Sequence, residues 1–597
     1  MKVLFVYPNV GSGHSIHMQP GLSSLSAVLK QARHHTALID ISQPVDREEF
    51  QAQVKAFDPD LVGFSVTVNQ WRCTREYAGY IREVSNASIV CGGYHPTLVP
   101  EEVVEDPNVD WVIRGEGEEP LLEFMEALEH NRSLDDIANL WGGPRNIRNP
   151  IRPPIPDLDV LPFLDWDIFN NDVILPKAGG YAELSMGRGC PNACTYCCNP
   201  QWNQLYRGKG SVVRKYSVPR AIAELRRAVE MLHPSGFQFY DEVFAIKKSW
   251  VKEFCTQYKD QIGIPFQILL RVDMVDDEIM EMLKDAGCAG ILAGVEAGEE
   301  RFRKDVLNRQ MSNDDIRWFF RKADELGFLT FAFVIFGFPK ETPRQMRETI
   351  RLIKEIKPNH VQSTIFYPFP KTPLCELAQR EGFLRGEQMP SAMTDMSILH
   401  QPRISPRLLK KNMNRIRLIS LQNKIDKQQI GLYDFVTNFK HAKRETVNRE
   451  FTQITIFGEF PGDVVTIVAH PPSTITYRLT IPEGGVLRTA VGLNPEVWNK
   501  REGDAVQFSI ALDDGSETQE LMSKVINPKY NAEDQKWHPV EVPLDRWAGK
   551  KVRLSFITRP DPSDNSYSWA GWARPHIARS SDLKPWYFIY TGSKTAN

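Results

Sequence analysis

The sequence predicts a multidomain α/β plus all-β protein. It places a Rossmann-like doubly wound domain, a partial (β/α)6 barrel of the TIM type and a C-terminal β-sandwich in series. Three observations predict this. Short apolar runs alternate with helix-period stretches through residues 1 to 395. Crowded prolines interrupt that rhythm once, near residue 150, and after residue 446 the pattern switches to period two. At 597 residues the chain exceeds what a single core organises, and its length alone suggests roughly four domains.

In residues 1–135 the apolar runs are Val3–Tyr7, Ala37–Ile39, Leu61–Ser65, Ile89–Cys91 and Trp111–Ile113. Between them lie helically spaced residues such as Leu22, Leu25, Val28 and Leu29. Continuous buried strands separated by helices imply a parallel sheet, which binds its ligand at the carboxyl ends of the strands. Those ends carry Tyr7-Pro-Asn9, Ser65-Val-Thr67, Gly92-Gly-Tyr-His-Pro-Thr97 and Gly115-Glu-Gly-Glu-Glu-Pro120. Glycines there let backbone approach a large flat ligand closely. Gly11-Ser-Gly13 lacks the continuation of a dinucleotide fingerprint.

Residues 136–175 hold Pro150, Pro153, Pro154, Pro156 and Pro162 and read as an ordered linker, neither helix nor central strand. Residues 176–395 return to the β/α rhythm. Their strand runs are Ala182–Met186, Phe237–Tyr240, Phe266–Leu270, Ile291–Val295, Phe331–Phe336 and Val361–Phe366. Six such units fall short of the eight of a closed barrel. Polar or glycine-rich residues follow successive strands: Asp241 and Glu242, Arg271, Glu296, Gly337 with Glu341, and Lys371. Any one of the acids has a structural reading as a helix cap or first-turn charge. Their recurrence at one strand end after another does not.

The most specific signal is Cys190, Cys194 and Cys197 in Gly189-Cys-Pro-Asn-Ala-Cys-Thr-Tyr-Cys-Cys198. Thiolates hold iron–sulfur clusters, and a four-iron cubane normally takes four of them. A CxxxCxxC loop supplies three and leaves one iron open, as a catalytic metal requires. Zinc would favour paired CxxC spacings with a second ligand pair, and the cysteines outside this loop are scattered singly. Cys198 is a nominal fourth ligand, but adjacent cysteines point in different directions. Nine cysteines in a long chain also argue against a disulfide framework.

This motif, with the aromatic Tyr196 just before the third cysteine, resembles the radical S-adenosylmethionine enzymes. The resemblance implies a 4Fe-4S cluster whose open iron chelates S-adenosylmethionine. It further implies that Asp241 and Glu242 meet the cofactor's amino group, Arg271 its carboxylate, Glu296 the ribose and Gly337 the adenine. The first domain is similar to the cobalamin-binding domain that precedes one class of these enzymes. That similarity rests on Pro20-Gly-Leu22, Asp60–Ser65, the Gly92–Thr97 turn and the Gly115–Glu118 loop. It implies a cobalamin contacted by Ser65, Thr67, Gly92, Gly93, His95, Pro96, Thr97, Gly115, Glu116 and Gly117. The histidine loop of the cobalamin mutases, Asp-x-His-x-x-Gly, does not occur. The resemblance therefore implies a cobalt with no protein imidazole below it, despite His14 and His17, and with Thr67, Val68 and Asn69 under the corrin.

Residues 396–445 read as a basic, solvated helical connector, because Leu408, Leu409, Met413, Ile416 and Leu418 spread around a helical wheel. Residues 446–597 read as a sandwich, from Ile475, Tyr477, Leu479 and Ile481, then Val506–Leu512, then Val552, Leu554 and Phe556. It resembles the jelly-roll modules of carbohydrate-active proteins. Trp498, Trp537, Trp547, Trp569 and Trp572 are of the kind that stack on sugars, although large aromatics also fill sandwich interiors. A net charge of −3 excludes a basic nucleic-acid binder, and no apolar run spans a bilayer. A short start without a signal peptide and an oxygen-sensitive cluster point to the cytoplasm, with flavodoxin or ferredoxin as reductant. The expected function is cobalamin-dependent radical methylation of an unactivated carbon in a small-molecule, lipid or glycan-related substrate. Cyclisation or rearrangement with the same cofactors is the alternative, and a zinc scaffold with a sugar-binding tail a third reading.

Overall fold

The fold was obtained as a computed structural model. It describes residues 1–8, 18–41, 45–178, 180–384, 397–427, 432–436, 438–457, 464–494, 497–498, 505–561 and 568–579. The chain forms two compact units, Met1–Ser420 and Leu421–Asn597.

The first unit opens with a seven-stranded sheet. Its strands are β1 (Lys2–Pro8), β2 (His35–Ile41), β3 (Leu61–Ser65), β4 (Ser88–Gly92), β5 (Trp111–Ile113), β6 (Leu140–Gly142) and β7 (Ile147–Arg148). The order is β2-β1-β3-β4-β5-β6-β7. The first five are parallel, because their apolar runs are covered by helices on both faces, and β6 and β7 add antiparallel at one edge. This order reverses direction between β1 and β3, which opens a crevice at Tyr7 and Ser65.

Here the structure departs from the expected linker. Prolines crowd only from Pro150 onward, so residues 140–148 remain free to pair as an edge. The rest of the stretch packs rather than spans: Leu158, Leu161, Leu164 and Trp166 are buried with the barrel's own core residues.

The second sheet has six parallel strands in the order β15-β14-β13-β12-β11-β8. They are β8 (Tyr181–Leu184), β11 (Gly236–Phe239), β12 (Phe266–Leu270), β13 (Cys288–Glu296), β14 (Leu329–Phe336) and β15 (His360–Ile365). Strands β9 (Gly187–Arg188) and β10 (Arg214–Lys215) form a separate antiparallel pair beyond the end of β8. Along β14, Thr330, Ala332, Val334 and Phe336 are buried while Phe331, Phe333 and Ile335 are only half-buried. One face meets the helices and the other lines an open half-barrel.

The helix Pro406–Lys427 corrects a second expectation. Leu409, Asn412, Ile416 and Ile419 are buried, and the apolar three join the barrel core. The polar Asn412 interrupts the stripe, which hid it from a hydrophobic reading.

The second unit is two antiparallel sheets. One contains Thr452–Phe457, Val464–Ala469, Ala570–Arg579, Gly485–Leu493 and His538–Pro543, joined by Tyr433–Asp434. The other contains Lys443–Thr446, Ser473–Thr480, Lys551–Asp561, Ala505–Asp513 and Thr518–Ile526. The sandwich thus takes in strands from residue 433, before the expected start. Trp547 and Trp572 belong to its core, Trp537 is buried, and Trp498 packs against the core. Only Trp569 among the five is exposed, at 40%. Among the described residues no helix is long and apolar enough to cross a membrane.

Candidate cofactor site

The three cysteines stand in the loop after β8, at the carboxyl end of the half-barrel. Cys194 is buried, while Cys190 and Cys197 are half-buried. The loop is pinned from two sides, by residues 306–308 and by Asn203. Thr195 donates its N–H to Leu307 O (3.2 Å) and its hydroxyl to Val306 O (2.6 Å). Asn308 donates to Ala193 O (2.8 Å), and Asn203 to Cys190 O (2.8 Å). Donors also converge on the sulfurs: Asn192 Nδ2 on Cys190 (3.3 Å), the Asn199 N–H on Cys197 (3.5 Å), and Arg271 and Arg309 on Cys194 (3.6 and 3.8 Å). Hydrogen bonds of this kind orient and tune the sulfurs of a bound cluster. Among the described residues no three His, Cys, Asp or Glu side chains close on a single ion. Cys198 shares a hydrogen bond with the Cys197 thiol and leads into the helix Asn199–Leu205.

The rim residues arrange themselves around this loop. Arg309 donates to Tyr196 Oη (3.1 Å) and Gly294 O (2.7 Å) and lies 3.7 Å from Glu296. Glu296 has φ +62° at a register shift in β13, a strained backbone for a residue with a side chain. Burial pushes its carboxyl up, against the pull of Arg309, Tyr196 and Arg271. Arg271 is held by both oxygens of Asp273 (2.8 and 2.7 Å). Asp241 is occupied by Lys215 Nζ (2.8 Å) and the Met186 N–H (2.8 Å). Glu242, by contrast, is exposed to the adjoining cavity, and desolvation by the surrounding walls pushes its carboxyl up. Gly337 has φ +85°, and its N–H donates to Glu341 Oε2 (2.7 Å).

That cavity, of about 500 Å³, lies between the two sheets of the first unit. One wall is the strand ends of the first sheet: Tyr7, Ser65, Thr67, Gly92, Gly93, Gly115, Glu116 and Gly117. The facing wall includes Gly187, Arg188, Asn199, Trp202, Tyr240 and Glu242. A Cβ on Gly93 (φ +98°) would stand 2.9 Å from both N and O of Val66. At Gly115 (φ +75°) it would meet the Tyr206 hydroxyl and Ile151. Thr97 joins the two glycine loops, donating its hydroxyl to Gly93 O (2.6 Å) and accepting the Gly115 N–H (2.9 Å). Thr97, His95 and Pro96 are buried beneath the wall rather than on it. Among the described residues neither ring nitrogen of His95 has a hydrogen-bond partner, Glu102 Oε2 lying 3.7 Å from Nε2, and burial lowers the imidazole to about 4. His14 and His17 lie outside the described residues.

Sequence reasoning missed five contributors. Tyr94 and Trp202 pack with ring centroids 5.0 Å apart across the two walls, and Tyr206 Oη accepts the Glu116 N–H (2.9 Å). Arg188 and Arg214 face the acids of the Gly115–Glu118 loop. Only Arg188 carried a signal, standing two residues before Cys190.

Residues 8–125 match the B12 binding domain family, and residues 184–353 match the Radical SAM superfamily. With a glycine-walled cavity beside a three-cysteine loop, the chain belongs to the cobalamin-binding radical S-adenosylmethionine enzymes. The cofactors of that class are cobalamin, S-adenosylmethionine and a 4Fe-4S cluster. An uncharacterised methyltransferase of Pyrococcus horikoshii is 27% identical over 393 residues, covering 63% of this chain and 83% of that protein. The anaerobic magnesium-protoporphyrin IX monomethyl ester cyclase of Rubrivivax gelatinosus is 24% identical over 397 residues, covering 63% and 70%. Among solved structures, the radical S-adenosylmethionine methyltransferase TsrM of Kitasatospora setae shares the fold. Its TM-score is 0.54 at 19% identity, over 65% of this chain and 76% of that one.

Proposed function

We propose that this enzyme methylates an unactivated carbon of a small-molecule, lipid or glycan-related substrate. The observation that carries the reading is a cavity with a cobalamin-type glycine wall on one side and, facing it, Glu242 with Gly189 and Asn199, the residues that flank the cysteine loop. Bound there together, the cofactors supply a methyl-carrying cobalt and a deoxyadenosyl radical. The chain's part is to hold, orient and enclose them. Cys190, Cys194 and Cys197 hold the cluster, and Tyr196 and Arg309 brace it. Glu242 faces the amino group of S-adenosylmethionine, because Asp241 is already committed to Lys215. Arg271, Glu296 and Gly337 line the rest of that cofactor's path. Ser65, Thr67, Gly92, Gly93, Gly115 and Gly117 approach the corrin, with Thr97, His95 and Pro96 supporting them from below. A flavodoxin or ferredoxin would supply the electron, in a reducing compartment such as the cytoplasm.

Ring closure or rearrangement is the second reading, favoured by the similarity to a cyclase. Anaerobic reconstitution with iron, sulfide and hydroxocobalamin, followed by mass spectrometry of the S-adenosylmethionine products, separates the two. Methyl transfer predicts S-adenosylhomocysteine and 5′-deoxyadenosine together; deoxyadenosine alone would support the second reading.

A further inference from the structure

Two motifs assigned to different cofactors hold each other. Glu116 and Glu118 lie in the loop after β5, between and beside the glycines of the cobalamin wall. Opposite them stand Arg188 on β9 and Arg214 on β10. Arg214 forks onto the two oxygens of Glu116 at 2.5 and 3.0 Å. Arg188 reaches Glu118 at 2.5 Å and Glu116 at 3.4 Å. Ser24 Oγ also donates to Glu118 Oε1 (2.8 Å), and the Ile155 N–H to Glu116 Oε2 (2.8 Å). Both glutamates and Arg214 are buried. Burial alone would raise the Glu118 carboxyl, yet Arg188 and Ser24 hold it below the usual carboxylate range.

Three buried charges and a partly exposed Arg188 contribute little net stability, since well-packed apolar residues would do as well. What a bidentate guanidinium–carboxylate pair adds is a fixed distance and orientation. The ends it fixes are informative. Gly115 and Gly117 flank Glu116 and line the cavity, and Arg188 is two residues from Cys190. Two cofactors serving one substrate carbon need a defined separation, because misplacement by about 1 Å costs on the order of a hundredfold in rate.

We infer that the Glu116–Arg214 and Glu118–Arg188 pairs are positioning residues that set the separation between cobalamin and the cluster. The inference rests on the cofactor assignment above, though not on which reaction follows. Pulsed electron paramagnetic resonance on the holoenzyme, with cobalt as cob(II)alamin and the cluster reduced by one electron, measures that separation through their dipolar coupling. The wild type should give one narrow distance. Glu118→Gln and Arg188→Lys, compared in molecules holding both metals, should give a longer or broadened one. An unchanged narrow distance in both variants would overturn the inference.

Amide hydrogen exchange of the full chain without cofactors gives a second readout. Glu118→Gln should accelerate exchange at least tenfold in residues 115–118 and 187–190 together; a response in one segment alone would also overturn it. A wild type that binds no cobalamin would refute the cofactor assignment instead, and leave the exchange measurement to decide the coupling.

Discussion

Glu341 illustrates how environment, rather than residue type, decides chemistry at this site. Its Oε2 accepts the Gly337 and Phe338 N–H groups, while its Oε1 has no partner among the described residues. Burial raises its carboxyl from 4.5 to about 8, against those two bonds. Between these values the folded chain holds a proton that the unfolded chain has released. Stability from this group is therefore complete below pH 4.5 and is lost as pH rises through about 8. Glu341→Gln should match the wild type near pH 5 and be more stable at pH 9, by at most about 5 kcal/mol, in denaturant titrations at the two pH values. A second residue-scale prediction concerns the cluster. Alanine at Cys190, Cys194 or Cys197 should each abolish iron binding and the visible absorbance, whereas Cys198→Ala should retain both. The cysteines were legible because ligand chemistry is written in residue type and spacing. The commitment of Asp241 to Lys215 was not, because the two lie 26 residues apart in sequence.

At the scale of elements, the glycine turns are where backbone conformation shapes the cavity wall. Gly93 has φ +98° and ψ −166°, a region that side-chain-bearing residues avoid. Gly93→Ala should cost about 1–3 kcal/mol in thermal or denaturant unfolding. It should also weaken cobalamin binding at least tenfold in equilibrium dialysis, because the turn it distorts is the cavity wall. Normal cobalamin affinity in that variant would remove Gly93 from the site. Strand positions in both α/β sheets were readable from continuous apolar runs. The edge strands β6 and β7 were not, since two or three residues carry no periodicity. The buried stripe of Pro406–Lys427 was also missed, because Asn412 and Ser420 occupy positions that a hydrophobic pattern reserves for apolar residues.

At the scale of the whole molecule, the sequence order of the three architectures was legible because a proline-crowded stretch divides two β/α rhythms and a switch to period two marks the third. The boundary at the sandwich was not: Tyr433–Asp434 and Lys443–Thr446 are short strands recruited by long-range pairing with 570–579 and 473–480. A chain ended at residue 445 would leave them unpaired, so residue 427 is the better cut. We predict that residues 1–427 fold, bind both cofactors and cleave S-adenosylmethionine without substrate, but turn over the true substrate poorly, since appended modules act through remote binding. Loss of cluster or cobalamin from that fragment would make the sandwich structural.

The central claim is that one chain holds a cobalamin and a three-cysteine cubane against the same cavity. Parallel determination of cobalt and iron in the anaerobically reconstituted protein tests it most directly. The wild type should carry one cobalt and about four irons per chain. Cys194→Ala should lose the iron and keep the cobalt, and Gly93→Ala should do the reverse. A wild type that takes up iron without cobalt, or a Cys194→Ala variant that keeps its iron, would contradict the account.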